Sequence, residues 1–291
     1  MINRREMLRM STVATASIPF ITLDDFLNNG KMKGFKVGAC DWSIGQRAKV
    51  EAMSVAKSIG LDGVQVSLGT VEDNMHLRTK AIQEAYKKAS KENGVAIGGM
   101  AIGELNSVPY KSAPETEQWV LDSIDVAKAM GVKVVLLAFF GKGDIKGDKE
   151  GTKEVIKRLK KAAPKAEKEK ITLGIESWLS AKEHMEIIDA VESDMIKVYY
   201  DTANSNKMGY DIYEEIRWLG KKNICEFHLK ENGNLLGEGV VDFKKVRAAI
   251  DDIGYRGWVQ IEGAIPEGGE RVESYIKNRE FVKSLFPDKI G

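Results

Sequence analysis

A (β/α)8 barrel is the fold this sequence predicts, on three observations. Eight short β-branched or apolar runs recur along the chain, long amphipathic segments separate them, and each of the last four runs carries a charged or ionisable side chain at or next to its end. The 291 residues accommodate a single barrel domain of ~250 residues.

The first run is 35–40 (FKVGAC), followed by a helical segment over 50–60 that stops at Gly60. Residues 63–68 (GVQVSL) form the second strand candidate, and 77–94, rich in Ala, Lys and Glu, the next helix. The strand 95–102 (VAIGGMAI) leads to a helix over 115–131. The strand 132–139 (VKVVLLAF) leads to a helix over 152–170, whose lysine-rich stretch 157–170 reads as a solvated outer face. The remaining strands are 171–176 (ITLGIE), 196–201 (IKVYYD), 224–229 (ICEFHL) and 258–262 (WVQIE). Gly60, Gly94, Gly131 and Gly254 each end a helical run shortly before a strand, where a left-handed residue lets the chain turn back. An open doubly wound sheet is the rival architecture, but no Gly-x-Gly-x-x-Gly fingerprint follows the first strand.

Hydrophobic residues make up 43% of the chain and charged residues 30%, the balance of a globular protein with a sizeable core. A net charge of +1 lacks the cationic excess that phosphate-backbone binding requires, so no nucleic-acid partner is expected. Cys40 and Cys225 lie in apolar runs and read as small buried hydrophobes rather than as a disulfide. The N-terminus carries Asn3-Arg4-Arg5-Glu6-Met7-Leu8 followed by an uncharged, mildly apolar stretch to Phe20. That pattern resembles a twin-arginine export signal, with 21–33 as a linker, and divides the chain into 1–33 and a barrel over 34–291. It points to a periplasmic location, with a frayed basic terminus on a cytoplasmic protein as the alternative. No stretch has the ~20 uninterrupted apolar residues of a membrane span.

A parallel strand covered on both faces should be apolar throughout, so a charged residue at its end is conspicuous. In a barrel those ends line the active-site mouth. Glu176, Asp201, His228 and Glu262 close strands five to eight in order. Singly, Asp201 could cap a helix, His228 could be a hydrogen-bonded core histidine, and either glutamate could pair with a lysine. Together, three carboxylates converging on one mouth repel unless a cation compensates them. Three carboxylates and one imidazole suit Mn²⁺ first, with Mg²⁺, Co²⁺ or Zn²⁺ as alternatives.

At these residues the sequence resembles the xylose-isomerase-like superfamily of sugar isomerases and epimerases (the sugar phosphate isomerase/epimerase family). The stretches GIESW (174–178), YYDTAN (199–204), FHLKE (227–231), LLGEGVVDF (235–243) and VQIEG (259–263) carry the resemblance, which runs from about Gly34 to the end. It implies that Glu176, Asp201, His228 and Glu262 hold one divalent metal and that Glu176 and Glu262 are the catalytic acid–base pair. One glutamate would remove a proton beside a sugar carbonyl while the cation stabilises the resulting cis-enediolate. The other would return a proton to the opposite face, or to the adjacent carbon.

Lys230 follows His228 by two residues and so points to the same side, toward a substrate oxygen. Trp42 and Trp178, just past strands one and five, are candidates to stack on a sugar. Gly237-Glu238-Gly239 reads as a structural loop before a helix starting near Asp242. Many sugar epimerases of the superfamily carry Asp-x-x-His after strand six. Here the stretch is Asp201-Thr202-Ala203-Asn204, which leaves Asn204 as a neutral substrate-binding candidate and the sugar itself open. His76 and His184 read as surface residues.

The sequence therefore supports a metal-dependent sugar isomerase or epimerase acting on a small sugar or keto-sugar, with a homodimer compatible. An exported lyase or hydratase acting on 3-keto-glycosides through the same proton abstraction is the alternative. An apurinic endonuclease, which shares the superfamily barrel but needs a histidine-rich site, and a non-catalytic sugar-binding barrel stand behind these.

Overall fold

The computed structural model describes residues 34–287; the proposed export signal over 1–33 lies outside them. Eight parallel strands close into a barrel in the order β1 to β8, each joined to the next through helix. The strands are β1 (Lys36–Cys40), β2 (Gly63–Ser67), β3 (Ala96–Ile102), β4 (Val134–Phe139), β5 (Thr172–Ser177), β6 (Ile196–Asp201), β7 (Ile224–Lys230) and β8 (Trp258–Glu262). The helices are α1 (Ala52–Ile59), α2 (Lys80–Asn93), α3 (Glu115–Met130), α4 (Lys149–Glu169), α5 (Ala181–Val191), α6 (Thr202–Lys207), α7 (Ile212–Asn223), α8 (Phe243–Asp252) and α9 (Arg271–Leu285). Pairing of β8 with β1, Val37 opposite Val259 and Ala39 opposite Ile261, closes the sheet and leaves no edge.

The helices face the barrel with narrow apolar stripes. In α1 the buried residues are Ala52, Met53, Ala56 and Ile59, which share one side of the helix and cover β2. Each large apolar side chain withdrawn from water in this way contributes roughly 1.5–3 kcal/mol. Helix ends are set locally: Gly60, Gly94 and Gly131 adopt the left-handed conformation after α1, α2 and α3. Asp148, Asp211 and Asp242 accept N-terminal backbone N–H groups of α4, α7 and α8, and Ser180 with Glu183 forms a capping box on α5. The lysine-rich face of α4 is solvated except at Arg158, which is buried and donates to Glu154 at 2.8 Å and to the Ala113 carbonyl at 2.6 Å.

Inside the barrel the lining is divided. Ala101, Val134, Leu136, Ala138 and Tyr199 form an apolar cluster toward β3, β4 and β6. The rest of the interior is polar: Gln65, Glu226 and Gln260 are buried on β2, β7 and β8. Space for this layer comes from β1, because a Cβ on Gly38 would lie 2.0 Å from Gln260 Oε1. On β7 the period of two puts Glu226, His228 and Lys230 on one inward face at rising levels, so β7 forms a polar column from floor to mouth.

Candidate active site and metal centre

Cross-strand register brings the four strand-end residues together. Asp201 sits opposite His228 on β6 and β7, and Lys230 opposite Glu262 on β7 and β8, while Glu176 pairs in register with Ala138. Glu176, Asp201, His228 and Glu262 each offer a ligand atom, and these atoms lie within 4.8 Å of one another. His228 Nδ1 is the inward-facing nitrogen, 3.1 Å from Glu176 Oε1, 3.5 Å from Glu262 Oε2 and 3.8 Å from Asp201 Oδ2. His228 stands two residues before the end of β7 rather than at its last position, which belongs to Lys230; the strand runs further than the apolar pattern suggested because Lys230 continues the pairing.

Asp201 divides its two oxygens between two tasks. Oδ1 accepts the Asn204 backbone N–H at 2.7 Å and so caps α6, while Oδ2 is buried without a hydrogen-bond partner. A buried orphan carboxylate oxygen among other carboxylates costs free energy unless a cation meets it, so the donor set fits a divalent ion. Burial pushes the Asp201 carboxyl well above its usual range, and Glu176 and Glu262 add to this against Lys230 and His228. Glu262 goes the other way: burial alone would raise it, but His228, Lys230 and the Trp42 hydrogen bond outweigh burial and hold it down at about 2. Burial would lower His228, but its neighbours, the Cys40 thiol and the Glu176 and Glu262 carboxylates, keep it above the ordinary imidazole range.

The sequence-predicted neighbours all reach this mouth. Lys230 Nζ donates to Glu262 Oε2 at 2.8 Å and lies 3.7 Å from Asp201 Oδ2. Trp42 Nε1 donates to Glu262 Oε1 at 2.8 Å, which fixes its indole beside that carboxylate. Asn204 Nδ2 donates to Glu176 Oε1 at 3.3 Å, and Trp178 is half-buried, edge-on to Phe140. Glu176, Glu262, Lys230, Asn204, Trp42 and Trp178 line one cavity of about 380 Å³. Arg47, also on its wall, is ion-paired with Glu104.

Several supporting residues escaped sequence reading. Gln65 Oε1 lies 2.8 Å from His228 Nε2 and 3.2 Å from Cys40 Sγ, while Gln65 Nε2 donates to Tyr199 OH at 3.0 Å. Tyr199 OH in turn donates to Glu226 Oε2 at 3.1 Å. The amide oxygen of Gln65 therefore faces the imidazole as an acceptor for the Nε2 proton, so Nδ1, turned toward the carboxylates, is the nitrogen on which a cation would replace a proton. Burial raises Glu226 to about 8, leaving a mostly neutral carboxyl under the site at neutral pH. Asp41, raised to about 6 by burial, accepts Ser67 N and Oγ, each at 2.7 Å, and Ala48 N at 3.1 Å, fixing the turn that carries Trp42. A signal for Glu226 and Gln260 was present, since each precedes a mouth residue by two, the spacing of one strand face.

The other histidines and the cysteines are now placed. His184 is buried, not exposed: it lies on the inner stripe of α5 between Ser177 Oγ and the Ser180 carbonyl, each at 3.0 Å. His76 is partly covered in a short 3-10 turn beside Asp73. Neither belongs to the potential metal-ligand groups among the described residues, so a histidine-rich nuclease cluster is not assembled there. Cys40 and Cys225 are free thiols.

Comparison with known proteins agrees with this geometry. A family model described as xylose isomerase-like TIM barrel matches residues 53–285. L-ribulose-5-phosphate 3-epimerase UlaE of Escherichia coli (strain K12) is 22% identical over 253 residues, covering 81% of this chain and 89% of that protein. Among solved structures, D-psicose 3-epimerase from Clostridium cellulolyticum H10, determined with D-tagatose, superposes with a TM-score of 0.73 at 16% identity over 86% of this chain and 99% of that one. The 3-keto-D-glucoside 4-epimerase YcjR of E. coli gives a TM-score of 0.70 at 14% identity, again over 86% and 99%. At these identities the structural likenesses establish the fold.

Proposed function

We propose, from the premise that the chain belongs to the xylose isomerase-like TIM barrel family, that it is a sugar epimerase or isomerase that moves a proton beside a carbonyl and depends on one divalent cation. The observation that carries this reading is the placement of two glutamates on one 380 Å³ cavity, with an orphaned buried oxygen of Asp201 and His228 Nδ1 in the same cluster of ligand atoms. Glu176, Asp201, His228 and Glu262 would hold the cation, Mn²⁺ first among Mn²⁺, Mg²⁺ and Co²⁺, with Zn²⁺ as a further candidate. Bound there, it would supply electrophilic polarisation of the carbonyl oxygen.

The chain's own groups account for the proton traffic. Glu262, held ionised by His228, Lys230 and Trp42, is poised to accept a proton from the carbon beside the carbonyl. Glu176, on β5, steadied by Asn204 and lining the same cavity, would return a proton taken up from solvent, giving inversion or a shift of the carbonyl while Glu262 releases its own to water. The Lys230 ammonium lies within reach of the oxygen on which negative charge develops, and Trp178 covers one wall of the cavity.

The test is solvent exchange. Protein loaded with Mn²⁺ in D2O should place deuterium on the carbon beside the carbonyl of at least one ketose or keto-sugar. Chelation should abolish it, and product analysis then distinguishes epimer, isomer and elimination product. Absence of exchange across a broad panel of sugars would overturn the reading.

A further inference from the structure

The mouth of the barrel does not end at the ligand cluster. A second compartment of about 510 Å³ adjoins the first, and the two share Trp178, Asn204 and Lys230 as a common wall. One side of it is the end of α6 with Asn206 and Lys207; the other is the loop between β7 and α8, with Asn232, Asn234 and Val240.

That loop is held in place before any ligand arrives. Buried Glu231 accepts the backbone N–H groups of Val240 and Val241 at 3.1 and 3.2 Å, and Leu236 N–H donates to Asn278 Oδ1 at 2.9 Å. Gly239 packs so closely that a Cβ there would lie 2.2 Å from the Glu231 carboxyl carbon. A wall braced at both ends gives a preformed compartment, which lowers the ordering cost of binding.

Its chemistry is that of a saccharide site. Each asparagine amide offers both donors and an acceptor, matching hydroxyls that also do both. Val240 is 79% exposed, an isolated apolar contact suited to the C–H face of a ring, and Trp178 stands at the divide. A phosphate would call for clustered cations. Among the described residues lining this compartment the cations are Lys230, paired to Glu262, and Lys207, which lies 5.4 Å over the Trp178 ring.

We infer that this compartment is a subsite for a second saccharide unit, so that the substrate is a keto-sugar bearing a glycosidic substituent, with the reacting ring at Glu176 and Glu262 and the substituent beyond Trp178. The inference rests on the sugar reading above and narrows its substrate class.

The experiment compares deuterium exchange by the metal-loaded full chain on a free keto-sugar, on the same keto-sugar carrying a glucosyl group, and on its phosphate ester. The expected result is a kcat/KM at least roughly ten-fold higher for the glucoside than for the free sugar, the remote unit contributing to transition-state binding. That ratio should fall toward one in the Asn206→Leu/Asn232→Leu double variant. Asn234→Leu, on an exposed loop position, provides the same reading if the double variant does not fold. Equal rates on free sugar and glucoside, preference for the phosphate ester, or a ratio unchanged by the substitutions would overturn the subsite while leaving a sugar-active enzyme in place. Absence of exchange on every sugar would remove both readings.

Discussion

His228 and Gln65 meet across the barrel interior, Nε2 to Oε1 at 2.8 Å, although they come from β7 and β2 and are 163 residues apart in sequence. The contact orients an imidazole whose other nitrogen faces three carboxylates. Gln65→Leu should therefore weaken divalent-metal affinity by about 10–100-fold with the four proposed ligands untouched. Competition against a chelator of known affinity measures this, and unchanged affinity would remove Gln65 from the site's support.

Asp201 allows its two roles to be separated. Asn is as good a helix cap as Asp, so Asp201→Asn should keep thermal stability close to that of the parent while losing most metal binding, because the charge of the orphan oxygen is gone. Asp201→Ala should lose about 1 kcal/mol of stability as well. A calorimetric melt and a metal analysis on the two variants give the comparison; equal metal content in Asp201→Asn and the parent would refute the ligand role.

If Glu262 is the catalytic base, its ion pair with Lys230 governs the acid limb of activity. Removing the ammonium 2.8 Å from Glu262 Oε2 lets that carboxylate protonate at higher pH. Lys230→Met should shift the acid limb of the kcat/KM profile upward by at least about one pH unit, so the loss is greatest at the acid end of the profile and least at pH 8. A profile that drops uniformly without shifting would show that Lys230 acts on substrate alone.

His184 makes stability acid-sensitive. Burial lowers its pKa from the model-compound 6.5 to about 4, with the Ser180 carbonyl and Glu183 opposing the shift. Below pH 6.5 the unfolded chain takes up the proton and the folded one does not, so stability falls as pH drops from 6.5 toward 4, by on the order of 3 kcal/mol in all. Denaturant midpoints across that range should show the slope in the parent and a flatter one in His184→Gln. Parallel slopes would assign the acid sensitivity elsewhere.

The barrel and the four mouth residues were readable from sequence for one physical reason: parallel strands covered on both faces tolerate few polar residues, so an acid or histidine at the end of YYD or VQIE stands out. The same logic stopped short at Gln65 and Glu226, whose partners lie on distant strands and are supplied only by closure of the barrel. Trp42 was placed at the mouth, but nothing local in the sequence announces that its N–H meets Glu262. His184 was misplaced for want of a stripe argument: Ala181, His184, Ile187, Ile188 and Val191 lie on one buried face of α5, and the histidine belongs to it. Asn204, in the first turn of α6, donates to Glu176, a contact between β5 and α6 that the sequence alone does not announce.

The column from Glu226 through Tyr199 and Gln65 to His228 means that the floor of this protein is wired to its mouth. Randomising the interior would disturb the orientation of His228 before it altered the outer wall of the cavity. The tolerant material lies at exposed loop positions such as Asn232, Asn234 and Val240, and directed evolution would profit most by confining diversity there.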